Sequence, residues 1–102
     1  MNKIFQRGGC VYIMTNQYHN VLYTGVTSDI IARIFDHKNN IYPNSFTAKY
    51  KCYKLVYCYF YSHIEGTIAE EKRINGCSKE HKRALVNSIN PDWIDMYGSL
   101  IE

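Results

Sequence analysis

Apolar residues gather three times along this chain in runs of strand length, and the polar stretches between them say how the runs are joined. Gly9 to Thr15 (Gly-Cys-Val-Tyr-Ile-Met-Thr) is the first run, and Val21 to Val26 (Val-Leu-Tyr-Thr-Gly-Val) is the second. The polar segment Asn16-Gln17-Tyr18-His19-Asn20 separates them, which predicts a β-hairpin. The second run ends near Gly25, a residue that permits a tight turn or a close approach of backbone. Thr27, Ser28 and Asp29 are good helix N-caps, so a helix is predicted from Asp29 to Lys38. Its apolar positions Ile30, Ile31, Ile34 and Phe35 form one stripe, with Arg33 and His37 one turn apart along the edge. Asn39 to Ser45 is rich in turn residues and reads as a loop, which Phe46 to Lys51 continues.

The third run, Tyr53 to Tyr61, is apolar or aromatic on both faces, and the pattern predicts a central strand covered on both sides. A second helix is predicted over Ile64 to Asn75, with Gly76 as its C′ residue, and a third over Lys79 to Ile89, capped by Ser78. Asn90-Pro91 stops it, and Asp92 to Tyr97 reads as a short closing helical turn. The element order is β-β-α-β-α-α. With Ile64 at zero on a helical wheel, Ile68, Thr67 and Ile74 mark the buried side, and Glu71 falls at about 340°, inside that sector. Glu65 and Glu70 fall outside it or on its border. A carboxylate aimed toward a core needs a cation, several donors or a metal.

Composition narrows the class. The 102 residues are 46% hydrophobic and 21% charged, which predicts one globular domain; the element order makes it α/β and spans residues 9–97, with short tails at 1–8 and 98–102. No apolar run is long enough for a membrane span, and Met1 to Arg7 lacks the apolar core of a signal peptide, so a cytoplasmic protein is expected. Cys10, Cys52, Cys58 and Cys77 form no C-x-x-C pair and read as reduced, buried thiols. The net charge of +3 is compatible with a polyanionic partner. Ten tyrosines suit both a tyrosine-rich core and a polar cleft.

Val11-Tyr12, then Tyr23-Thr24-Gly25, then Arg33-x-x-x-His37, then Ala69-Glu-Glu-Lys and the Asn90-Pro-Asp-Trp ending together resemble the GIY-YIG nuclease superfamily. Within it the chain is most similar to small single-domain bacterial members related to the N-terminal nuclease module of the excision-repair endonuclease, over about Gly9 to Tyr97. Cys10-Val11-Tyr12 stands where Gly-Ile-Tyr is expected, and Thr24 stands for isoleucine. The resemblance implies a small, mainly antiparallel three-stranded sheet flanked by helices, and a DNA endonuclease with a place in repair. It implies catalytic roles for six residues. Tyr12 would be the general base, with a pKa lowered by nearby positive charge. Arg33 would hold the scissile phosphate in its donor fork. Tyr23 and His37 would bond the phosphate or pass protons. Glu71 would hold one divalent metal, Mg²⁺ or Mn²⁺. Asn90, or else Asn87, would be the late asparagine. Gly25 would let substrate approach the backbone; apart from the resemblance, Lys49, Lys51 and Lys54, interleaved with Tyr50 and Tyr53, read as an edge that binds nucleic-acid backbone or equally as a solvated loop and strand edge. No separate recognition domain is expected, so sequence specificity would be weak or borrowed from a protein partner or a homodimer.

Each residue has a plainer account. Tyr12 and Tyr23 could pack across a hairpin, Arg33 could join a surface ion pair with Asp29, and Glu71 could meet a lysine. Asn90 is an ordinary helix stop, and His19, His63 and His81 read as loop or surface residues. The joint spacing of Tyr12, Tyr23, Gly25, Arg33, His37 and Glu71 is what these accounts leave unexplained. The alternatives to a nuclease are a non-catalytic nucleic-acid-binding module on the same fold and, further off, a protein-interaction domain.

Overall fold

A computed structural model describes residues 8–102, so the lead-in expected at the N-terminus lies, apart from Gly8, outside the described residues. Strands β1 (Gly9–Thr15) and β2 (Leu22–Thr27) form the expected hairpin. Helix α1 (Ile30–Lys38) follows at once, with the Asp29 carboxylate accepting from the Ala32 amide at 3.1 Å as its N-cap. Then come α2 (Phe46–Lys49), β3 (Lys54–Tyr61), α3 (Ile64–Asn75), α4 (Lys79–Ile89) and α5 (Tyr97–Ile101). The sheet is antiparallel, as expected, with strand order β2-β1-β3.

That order corrects the placement of the third run. β1 is the central strand, and all seven of its residues are buried. β3 is an edge, and its far end leaves Tyr59 and Phe60 exposed. Apolar residues on both faces of a strand report that helices cover both faces; they say nothing of how many strands pair beside it. A bulge at Ile13/Met14 sets Val56 and Tyr57 on the same side of the sheet.

Two cores result. Cys10, Tyr12 and Met14 of β1 pack with Ile30 and Ile34 of α1 and with Leu55. Ile13 faces the other way, with Val56, Tyr57, Val86 and Trp93. Helix α3 lies on this second side, because a Cβ built on Gly9 would strike Ile64 and Thr67 at 2.8 Å. The last turn of α1 is pinned to the first core by Lys38, whose ammonium donates to Asp95 at 2.5 Å and to the Tyr53 carbonyl at 2.8 Å. Asp95 in turn accepts from the Leu55 amide at 3.2 Å.

Smaller expectations also shift. The loop after α1 contains a single helical turn, α2, capped by Ser45. The buried side of α3 is centred on Thr67 and Ile74, whereas Ile68 is exposed, so Glu70 and Glu71 both sit half-buried on its flanks. Glu70 there bonds Arg73. Gly76 ends α3 in right-handed geometry at φ −80, because its amide still bonds the Lys72 carbonyl. The closing helix starts at Tyr97, later than expected, because Asn90 holds the intervening turn open. All four cysteines are free, but only Cys10 and Cys52 are buried. Among the described residues no helix is long and apolar enough to cross a membrane.

Candidate active site

The hairpin register sets Tyr12 directly opposite Gly25. The Tyr12 ring lies across β2 at that point: a Cβ on Gly25 would sit 2.5 Å from the Tyr12 hydroxyl. Gly25 is therefore needed by a neighbouring side chain, and its conformation is unexceptional, since no glycine among the described residues has positive φ. The space it clears lets Tyr12 reach helix α1, where its hydroxyl meets His37 Nε2 at 3.1 Å. The other ring nitrogen, Nδ1, meets Thr47 Oγ1 at 2.8 Å, and Thr47 meets Ser45 Oγ at 3.1 Å. Tyr12, His37 and Thr47 are each at least nine-tenths buried. A continuous hydrogen-bonded chain thus runs from the central strand through α1 to the cap of α2.

Tyr23 closes this group from β2. Its ring centroid is 6.2 Å from Tyr12 and 5.8 Å, edge-on, from His37. On its other side it stacks on Phe46 at 5.8 Å. Arg33 stands one turn before His37, exposed, and its charge acts on both Tyr12 and His37. Among the described residues Arg33 makes no ion pair, and Asp29, its possible partner, is engaged as the helix cap.

These surroundings set the protonation states. Burial, followed by the neighbouring Tyr23, pushes the Tyr12 hydroxyl above its ordinary value, and the opposing pull of Arg33 does not win. The lowered tyrosine pKa expected from the sequence is thus reversed in the protein's own environment. Burial, then Arg33, depresses His37, while Asp36 opposes them. At neutral pH both partners of the 3.1 Å bond are uncharged, and the imidazole is free to take a proton.

The remaining site residues are dispersed. Glu71 belongs to α3, on the opposite face of the sheet from Tyr12, although α3 touches β2 as well as β1. One of its oxygens accepts from Asn75 Nδ2 at 3.2 Å, and among the described residues it has no cation partner. No cluster of three or more His, Cys, Asp or Glu among them could hold a metal by itself. A half-buried carboxylate with one weak partner still fits a hard cation, which needs only one or two carboxylates beside water and phosphate.

Asn90 is turned inward and fully used. Its amide donates to Val56 O at 3.1 Å and Ile94 O at 2.8 Å, and its oxygen accepts from the Ile94 amide at 3.1 Å. It joins the end of α4 to β3. Asn87 accepts from Trp93 Nε1 at 2.7 Å. Lys49 and Lys51 are exposed, as a backbone-binding edge requires, but Lys54 is turned against His19 Nε2 at 2.8 Å. His19, passed over as a loop residue, also stacks on Trp93 at 5.0 Å. Thr47, Ser45 and Phe46 are the site residues that pattern reading missed. The serine cap two positions before Thr47 was their only signal.

The family described as the GIY-YIG catalytic domain matches residues 8–89. The fold is similar to the solution NMR structure of the UPF0213 protein BH0048 from Bacillus halodurans, with a TM-score of 0.55 and 22% identity. That similarity covers 87% of this chain and 93% of the other. No curated protein matches the chain.

Proposed function

The chain belongs to the GIY-YIG catalytic-domain family, within a nuclease superfamily, and from that premise we propose that it is a divalent-metal-dependent endonuclease cutting DNA phosphodiester bonds. The observation that carries the proposal is the Tyr12–His37 hydrogen bond beside an exposed arginine that makes no ion pair among the described residues. A buried tyrosine packed for stability alone needs neither a depressed histidine nor a free cation next to it.

The residues divide the work of hydrolysis as follows. Arg33 binds the scissile phosphate through its planar fork and sets the phosphorus against the tyrosine pair. Tyr12 takes a proton from the attacking water while handing its own to His37 Nε2. One water O–H bond breaks and one Tyr12 O–H bond forms; the old Tyr12 O–H breaks and Nε2–H forms. Tyr12 ends neutral and His37 ends as imidazolium, its Nδ1–H donating to Thr47. This relay needs no tyrosinate at rest, which suits a hydroxyl whose pKa burial has raised. Tyr23 donates to a phosphate oxygen, and its ring packs beside Tyr12 and His37. Glu71 would hold Mg²⁺ or Mn²⁺, which when bound supplies positive charge against the phosphorane and the leaving oxygen. Glu71 lies on a helix that packs on the other face of the sheet from Tyr12 and also touches β2. The Asn90 amide is engaged with the Val56 and Ile94 backbone, and its role in this reading is to hold the α4–β3 joint.

The test is nicking of supercoiled plasmid in Mg²⁺, in Mn²⁺ and in EDTA. Wild type should nick only with metal, and Arg33→Ala should lose at least about 100-fold in rate. Glu71→Ala should abolish cutting and leave DNA binding in place. A wild type that binds DNA in a salt-dependent way and never nicks would identify a non-catalytic binding module instead.

A further inference from the structure

The catalytic tyrosines do not end the aromatic surface. Tyr23 stacks on Phe46, and Phe46 meets Tyr50 at 4.7 Å, so three rings run outward from the site in sequence. The outer two are far from buried: Phe46 is 46% and Tyr50 is 42% exposed. Tyr50 then forms part of the wall of an open groove of about 520 Å³, shared with Tyr18, Tyr53, Lys51 and Lys54. Between Asp36 and Glu65 the chain carries Lys38, which pairs with Asp95, together with Lys49, Lys51 and Lys54, and no acid. Lys49 rests its ammonium 5.3 Å over the Tyr50 ring, placing a cation at the edge of the stack.

We propose that the Tyr23–Phe46–Tyr50 ladder stacks unpaired nucleobases, so that the substrate is a nucleic acid with a single-stranded segment beside the scissile phosphate. The inference rests on the nuclease reading above and names its substrate class. Exposed flat rings alternating with lysines match a strand that offers bases and phosphates in alternation. In an intact duplex the bases are stacked on one another and cannot reach Phe46; in a gap, flap or loop they can. The groove beyond Tyr50 continues the path, with Tyr18 and Tyr53 as further faces and Lys51 as a phosphate contact. Its mouth lies between the β1–β2 turn and the segment leading into β3.

Binding is measured in EDTA, by fluorescence anisotropy, on a continuous duplex and on the same duplex carrying a short unpaired stretch with a fluorescent adenine analogue. Wild type should bind the interrupted DNA about tenfold more tightly and quench the analogue. Phe46→Leu should remove most of that preference without changing the salt slope, because stacking releases no counterions. Lys49→Ala should flatten the slope instead. Equal affinity for the two DNAs, an unquenched analogue, or a preference that survives both Phe46→Leu and Tyr50→Leu would overturn the ladder. The wild-type comparison decides even if a variant fails to fold. If the preference is absent while Arg33-dependent nicking persists, the ladder alone falls; if neither DNA is bound and no plasmid is nicked, both readings fall.

Discussion

Two buried polar groups lie on opposite faces of the same three strands, and each contains a histidine, aromatic rings and an arginine. Around Asn90, every donor and acceptor of the amide ends on backbone. Trp93, held there at φ 55, is covered by His19 on one side and by Arg83 at 4.7 Å. The Arg83 guanidinium also donates to the His19 carbonyl at 2.6 Å. This network closes on itself. Around Tyr12 the chain of hydrogen bonds runs through His37 to Thr47 and leaves an exposed Arg33 with no partner among the described residues. The difference teaches how to sort buried polar groups: a saturated set stabilises a joint, and a set with unused capacity next to a free charge can act on something else.

Tyr12→Phe should break the comparison most visibly. It keeps the ring over Gly25 and removes the proton relay, so nicking should fall by about 10²- to 10⁴-fold while the thermal midpoint moves little. The midpoint is read by circular dichroism beside the plasmid assay. A rate within about threefold of wild type would mean that Tyr12 only packs. Asn90→Ala should do the opposite. Losing its three side-chain hydrogen bonds, one buried and two part-buried, costs about 3 kcal/mol, a drop in midpoint of roughly 10–20 °C. The molecules that remain folded should still nick at the wild-type rate.

The histidine sharpens the contrast through pH. His37 is depressed below the ordinary histidine range, chiefly by burial, so it is neutral and able to accept a proton throughout the neutral range. Nicking should stay level as pH falls from 8 to about 6.5 and decline only as His37 becomes protonated below that. Stability follows the same direction. A depressed folded-state pKa means that the unfolded chain binds the proton first, so stability is full above about 6.5 and is lost as pH falls through the folded value. Titrating the His37 ring by NMR checks both. Arg33→Gln removes one of the causes and should move the titration upward.

The smallest effect concerns Thr24, whose hydroxyl is buried with no hydrogen-bond partner among the described residues. It points away from Tyr12, toward the face on which α3 packs. Thr24→Val keeps the shape and removes an unsatisfied group, so it should stabilise the fold by about 1 kcal/mol. Denaturant unfolding reads this, and nicking should be unaffected.

Which parts of this molecule could be read in advance follows from the range of the interactions that form them. The β1–β2 hairpin, the Asp29 cap and the Arg33–His37 spacing depend on neighbours within a few residues, and the amino-acid sequence by itself determined them. It also determined which residue types the chemistry could use, and hence the family resemblance. The reason for Gly25 was hidden, because it is a clash with Tyr12 that exists only once the strands are in register. Helix α2 was hidden because one turn is too short to carry a period. Its Thr47 and Phe46 enter the site only when α1 and β2 bring His37 and Tyr23 to them. The wheel for α3 identified a buried side, but only the packed fold decided which face of the sheet that side would cover, and therefore that Glu71 and Tyr12 stand apart. Tertiary structure likewise decided that β3 is an edge, that Asn90 is spent on backbone, and that burial outweighs Arg33 at Tyr12. Each of these is a balance between groups distant in sequence, and periodicity along a chain carries no record of such balances.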